Sequence, residues 1–156
     1  MHGMNKIICL LIAVFLFPFA FQTSKTDVFY DYFSSNYDCS FCYVLREKDA
    51  AHVSLSKYQN QITTGGYSFI YFDEDAPLPP KPIYRQVEMS GKNINKISAE
   101  LSISILKTQN DIYTIMYGYT PILPDYLYCG GYKMNVQIVI KQDSIIIGYP
   151  AIYTGF

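Results

Sequence analysis

Tryptophan is absent from these 156 residues, histidine occurs twice, and basic side chains (12) do not outnumber acidic ones (13). Each shortage removes a class of function. A polyanion such as nucleic acid needs a basic field, and a net charge of −1 supplies none. Nucleophilic catalysis by Ser or Cys needs a histidine beside the nucleophile. His52 is the only one past the first 20 residues, and no pattern surrounds it. Carboxylates cluster only in acidic loops such as Asp73-Glu74-Asp75, and Gly65-Gly66 and Gly130-Gly131 read as turn glycines, not a phosphate cradle. No catalytic residue, metal or cofactor is assigned. The composition favours a binding protein over an enzyme.

Long hydrophobic runs are also missing, with one exception. Ile7 through Phe17 is unbroken and apolar, follows Lys6 and ends at Pro18. A membrane span needs about 20 apolar residues, so this short run has the layout of a cleaved secretory signal. The expected division is residues 1–20 as signal peptide and 21–156 as one domain, secreted or held in a lysosomal lumen. Loss of Lys6 leaves 11 basic against 13 acidic side chains, which again argues against nucleic acid.

Cysteine is scarce: Cys9 falls in the signal, leaving Cys39, Cys42 and Cys129. In an oxidising compartment one disulfide and one spare thiol are expected. Cys129 pairing with Cys39 or with Cys42 is the expectation, and spacing does not choose between them. The Cys39-Ser-Phe-Cys42 spacing also fits a redox dithiol or half a zinc site. An extended Tyr43-Val44-Leu45 follows it, however, where a redox motif would open a helix.

What is abundant is tyrosine, 16 in all, every one past residue 20. Its apolar ring and polar tip suit strands, half-buried rims and interfaces. Phe41–Leu45, Ala51–Leu55, Tyr67–Phe72 and Tyr84–Met89 read as strands, with a short helix within 43–51 as the alternative around the charged turn. Residues 21–40 show no clear period and read as loosely ordered. Four prolines between Pro77 and Pro82 remove ladder donors and make an extended connector. Ala99–Ile105 alternates apolar and polar, as do Tyr132–Ile138 and their continuation to Ile140. Ile112–Tyr117 and Ser144–Tyr149 complete two hairpins. This predicts an all-β fold, a small antiparallel β-sandwich or β-cup of about seven to nine short strands.

One segment is more specific. Leu123-Pro124-Asp125-Tyr126-Leu127-Tyr128-Cys129-Gly130-Gly131-Tyr132-Lys133-Met134 opens an alternating strand that runs through a hairpin to Ile147-Gly148. It resembles the same stretch of GM2 activator proteins, members of the MD-2-related lipid-recognition family. Tyr126 stands where that family usually has tryptophan, and Gly118–Ile122 replaces its cysteine-rich middle. The resemblance implies a β-cup that holds lipid tails without acid–base chemistry. Leu101, Ile103, Ile105, Ile115, Met134, Val136 and Ile138 would then line the lipid cavity. Pro124, Tyr126 and Leu127 would form a rim touching a membrane surface. The implied partner is an amphipathic lipid or glycolipid, with presentation to a protein. The alternative is a secreted β-sandwich that binds a protein surface through its tyrosines, as an effector or receptor ligand would.

Overall fold

The computed structural model describes residues 27–153, apart from positions 74, 92 and 111. The expected signal peptide lies outside these residues. Among the described residues no helix is long and apolar enough to cross a membrane.

The chain is mostly β, as the alternating runs predict. Its elements in order are α1 (Val28–Asn36), β1 (Cys39–Arg46), α2 (Glu47–Ala50), β2 (Asn60–Thr64), β3 (Tyr67–Phe72) and β4 (Tyr84–Ser90). There follow α3 (Ile94–Glu100), β5 (Ser104–Asn110), β6 (Thr114–Tyr119), β7 (Leu127–Cys129), β8 (Tyr132–Met134), β9 (Val136–Ile140) and β10 (Ser144–Tyr149). Eight strands form one antiparallel sheet in the order β2-β3-β1-β4-β10-β9-β6-β5, and β7 and β8 form a separate ribbon. The described strands number ten, slightly more than predicted.

Alternation sets which face packs inward. Phe41, Tyr43 and Leu45 of β1, Val87 and Met89 of β4, and Ile145, Ile147 and Tyr149 of β10 share one core. Helices α1 and α3 cover it with Phe29, Phe33 and Ile97. On the opposite face Cys42, Val44 and Phe69 pack with Tyr67, Tyr71, Ile83 and Tyr84. Here the tail after β10 crosses the sheet. The Tyr153 ring lies 4.9 Å from that of Tyr84 and 5.2 Å from that of Tyr67. Ile152 N–H donates to Gln137 Oε1 at 3.1 Å.

That crossing depends on Gly148. A Cβ there would stand 2.5 Å from Ile152 N and 2.6 Å from the Ala151 carbonyl carbon. Gly148→Ala must therefore lift the tail, at about 1–3 kcal/mol. The expected result is a lower melting temperature together with new binding of a hydrophobic dye at the uncovered tyrosines; an unchanged melting curve would refute the crossing.

Three sequence expectations need correction. Residues 21–40 are not loosely ordered where described, because α1 occupies 28–36. Asp27 caps it by accepting the Tyr30 N–H at 3.2 Å, and Phe29 and Phe33 sit one turn apart on the buried side. Ala51–Leu55 is not a strand. The charged Glu47–Ala50 stretch makes one helical turn, and only here does the alternative short helix form.

Ala99–Ile105 is not one strand either. Ile94, Ile97 and Leu101 follow a helical period that overlaps the alternation. Helix α3 ends in a Schellman cap, with Ile103 N–H on Ser98 O (2.8 Å) and Ser102 N–H on Ala99 O (3.2 Å). Ser102 takes the left-handed conformation (φ +51°) that this cap requires, and β5 starts only at Ser104. The hairpin partner accordingly shifts to Thr114–Tyr119.

Candidate functional site

The segment from Thr120 to Met134 is held at its base and exposed at its tip. Asn135 interrupts the predicted run from Tyr132 to Ile140, and that break is the anchor. Its Oδ1 accepts the Thr120 N–H at 2.8 Å, while Nδ2 donates to Thr120 O (2.8 Å) and Leu123 O (2.9 Å). Thr120 Oγ1 donates to Leu101 O and accepts the Ile122 N–H. Both side chains are fully buried, where unmade hydrogen bonds are costly.

A second tie holds the loop nearer its tip. Tyr149 Oη accepts the Asp125 N–H at 2.8 Å and donates to Asp125 Oδ2 at 2.9 Å. Burial pushes the Tyr149 phenol up to about 12, so it remains a donor at any physiological pH.

Beyond these ties the chain turns outward. Tyr126 is 44% exposed, Leu127 37%, Tyr128 74% and Tyr132 57%. Pro124 is exposed as well. β7 and β8 pair Leu127 with Met134 and Cys129 with Tyr132. Gly130 and Gly131 (φ +56° and +85°) supply the turn, a conformation glycine adopts without steric cost. Lys133 Nζ lies 4.0 Å from the Tyr126 ring centre and 4.9 Å from that of Tyr119. This contact places a cation between the exposed Tyr126 ring and the half-buried Tyr119 ring. Beside the ribbon is an apolar pocket of about 180 Å³ lined by Leu106, Lys107, Tyr117, Tyr132 and Met134.

The rim residues named from sequence are thus together and exposed. The seven cavity candidates divide. Leu101, Ile103, Val136 and Ile138 are buried in the shared core, packed on their neighbours. Met134 is buried and lines the small pocket. Ile115 is half-buried, and Ile105 is exposed on β5, one of the sheet's two edge strands. Tyr128, Tyr132, Lys133 and Lys107 join the rim here without having been marked by the sequence as site residues. The signal for three of them was the run of tyrosines at 126, 128 and 132 closed by Lys133, whereas Lys107 comes from β5 and has no such local mark.

The expected disulfide is absent: Cys39, Cys42 and Cys129 form none. Cys39 and Cys42 lie on the large sheet, whereas Cys129 is exposed on the separate ribbon. Burial pushes the Cys42 thiol up to about 12, partly offset by a hydrogen bond with Tyr71. Such a thiol is a poor nucleophile for exchange. His52 is exposed in a turn, and no three metal-ligating side chains cluster among the described residues.

No family model, curated protein or solved structure matches the chain.

Proposed function

We propose that this chain is a non-enzymatic lipid-binding protein of the secretory pathway, and that it meets an amphipathic lipid at its surface. The observation that carries this reading is the exposed Tyr126-Leu127-Tyr128 tip with Lys133 over the Tyr126 ring. Tyrosine suits the boundary between acyl chain and water because its ring enters the apolar side while its hydroxyl stays wet. A lysine beside it can meet lipid phosphates. The burial of four cavity candidates in the core favours contact at the surface over engulfment.

Tyr126→Asp and Leu127→Asp place a charge where the rim meets lipid, and each should weaken vesicle binding by about 1–3 kcal/mol. Because both side chains are exposed, melting temperatures should stay unchanged. Co-sedimentation with vesicles measures the first effect and calorimetry the second. Wild-type protein that ignores vesicles and carries no extractable lipid would end this reading.

A protein-binding reading has its own support in the 180 Å³ pocket beside the exposed edge strand β5, a volume suited to one large side chain of a partner. Binding to a protein with no vesicle affinity would favour it.

A further inference from the structure

Where the proline connector between β3 and β4 comes near the start of the rim loop, an open groove of about 740 Å³ is lined by prolines and four charged side chains. These are Asp27, Lys81, Arg85 and Asp125. Two of the charges are committed to each other. Arg85 Nε donates to Asp27 Oδ2 at 2.6 Å, Asp27 Oδ1 accepts the Tyr30 N–H, and the guanidinium lies 5.2 Å from the Tyr149 ring centre. Both partners are largely buried. The pair is a rigid, locally neutral piece of the wall.

The other two charges are not so matched. Lys81 and Asp125 line the same groove without an ion pair between them; the described pairs are Asp27–Arg85, Lys96–Glu100 and Lys141–Glu88. Asp125 is held in place through Tyr149. Lys81 is held differently. It stands between Pro80 and Pro82 with φ +49°, a left-handed conformation uncommon outside glycine. That conformation sets the backbone at Lys81, and the side chain itself is exposed at the groove. Two opposite charges that line one groove without pairing leave room for a third body.

The charge arrangement limits what that body is. An anion alone is repelled by Asp125, and a cation alone by Lys81. A ligand carrying both signs a short distance apart satisfies both. The groove is also continuous with the rim, since Pro124 and Asp125 line it and Tyr126 follows directly.

We propose that this groove holds a zwitterionic headgroup, an ammonium joined by a short alkyl link to a phosphodiester. The phosphodiester would sit on Lys81 and the ammonium on Asp125, with the neutral Arg85–Asp27 pair as the wall between the prolines. The lipid source rests on the surface-binding reading above, in which Tyr126 and Leu127 take the apolar chains. The same chemistry occurs in soluble glycerophosphodiesters.

The test uses Lys81→Gln and Asp125→Asn, which remove charge and keep most of each side chain's shape. Wild type should bind phosphatidylcholine or phosphatidylethanolamine vesicles, each variant should bind them roughly tenfold more weakly, and melting temperatures should be retained. Titration with glycerophosphoethanolamine, followed by amide resonances near Lys81 and Asp125, supplies the soluble arm. Shifts there without vesicle binding would support the groove and refute the lipid reading. Vesicle binding that both variants retain, yet Tyr126→Asp abolishes, would overturn the groove and leave the rim standing. Tighter binding of Asp125→Asn to phosphatidylglycerol than to phosphatidylcholine vesicles would overturn the zwitterion in favour of a plain anion site. Neither vesicle binding nor shifts would overturn both.

Discussion

Asn135→Ala should destabilise the protein by about 3–5 kcal/mol and lower its melting temperature by roughly 10–20 °C. The substitution removes one acceptor and two donated bonds at once. It leaves the Thr120 N–H and the carbonyls of Thr120 and Leu123 without those partners, in a place where Thr120 is fully buried and Leu123 nearly so. Each buried group so abandoned costs about 1–3 kcal/mol, more than the net gain from forming its bond. Asn135→Asp is the informative companion. It keeps an acceptor for the Thr120 N–H, turns two donors into acceptors facing carbonyl oxygens, and buries a carboxylate. It should therefore be no milder than alanine at neutral pH. Denaturant unfolding measures both, and a loss below about 1 kcal/mol for either would show that the loop is not held through Asn135.

Legibility in the sequence held where one signal acted alone. Tyr67–Phe72 and Ser144–Tyr149 were legible to the residue, because a bounded run of β-branched and aromatic side chains needs no outside help to be a strand. It failed where two periods overlapped. Ala99, Leu101, Ile103 and Ile105 alternate well enough to be a strand. What decides otherwise is the partner surface for Ile94, Ile97 and Leu101, together with the backbone of Ser102, and neither is visible in a pattern of polarity.

Asn135 was hidden in the same way. A single amide inside an alternating run reads as an outward polar residue, and only the return of the Thr120–Leu123 segment shows that it faces inward. Of the Leu123–Met134 segment, the turn at Gly130-Gly131 was legible as a local feature, while the exposure of Pro124, Tyr126 and Leu127 is seen only in the structure. The groove was not legible, since Asp27, the Lys81–Arg85 stretch and Asp125 are far apart in the chain.

Phe33→Ala should cost about 3–5 kcal/mol, as large a loss as the fold should show from one apolar side chain. Phe33 is fully buried, with ring centres 4.9 Å from Phe29, 4.9 Å from Tyr32 and 6.0 Å from Tyr37. Its removal leaves a cavity between α1 and the sheet and loses the ring contacts besides. Phe33→Leu keeps most of the volume and should cost less, about 1–2 kcal/mol. The consequence is more than thermal. Asp27, the cap of α1, is also the partner of Arg85, so a helix that leaves the sheet takes the carboxylate with it. Arg85 would then lie largely buried against Tyr43 and Tyr149 with its charge uncompensated. Helix and groove should therefore fail together. Limited proteolysis of Phe33→Ala should cut first within residues 28–38 and leave the β3-to-β10 portion resistant for longer. If instead the variant is as stable as wild type, α1 contributes no packing, and the segment behaves as the loosely ordered stretch its irregular sequence suggests.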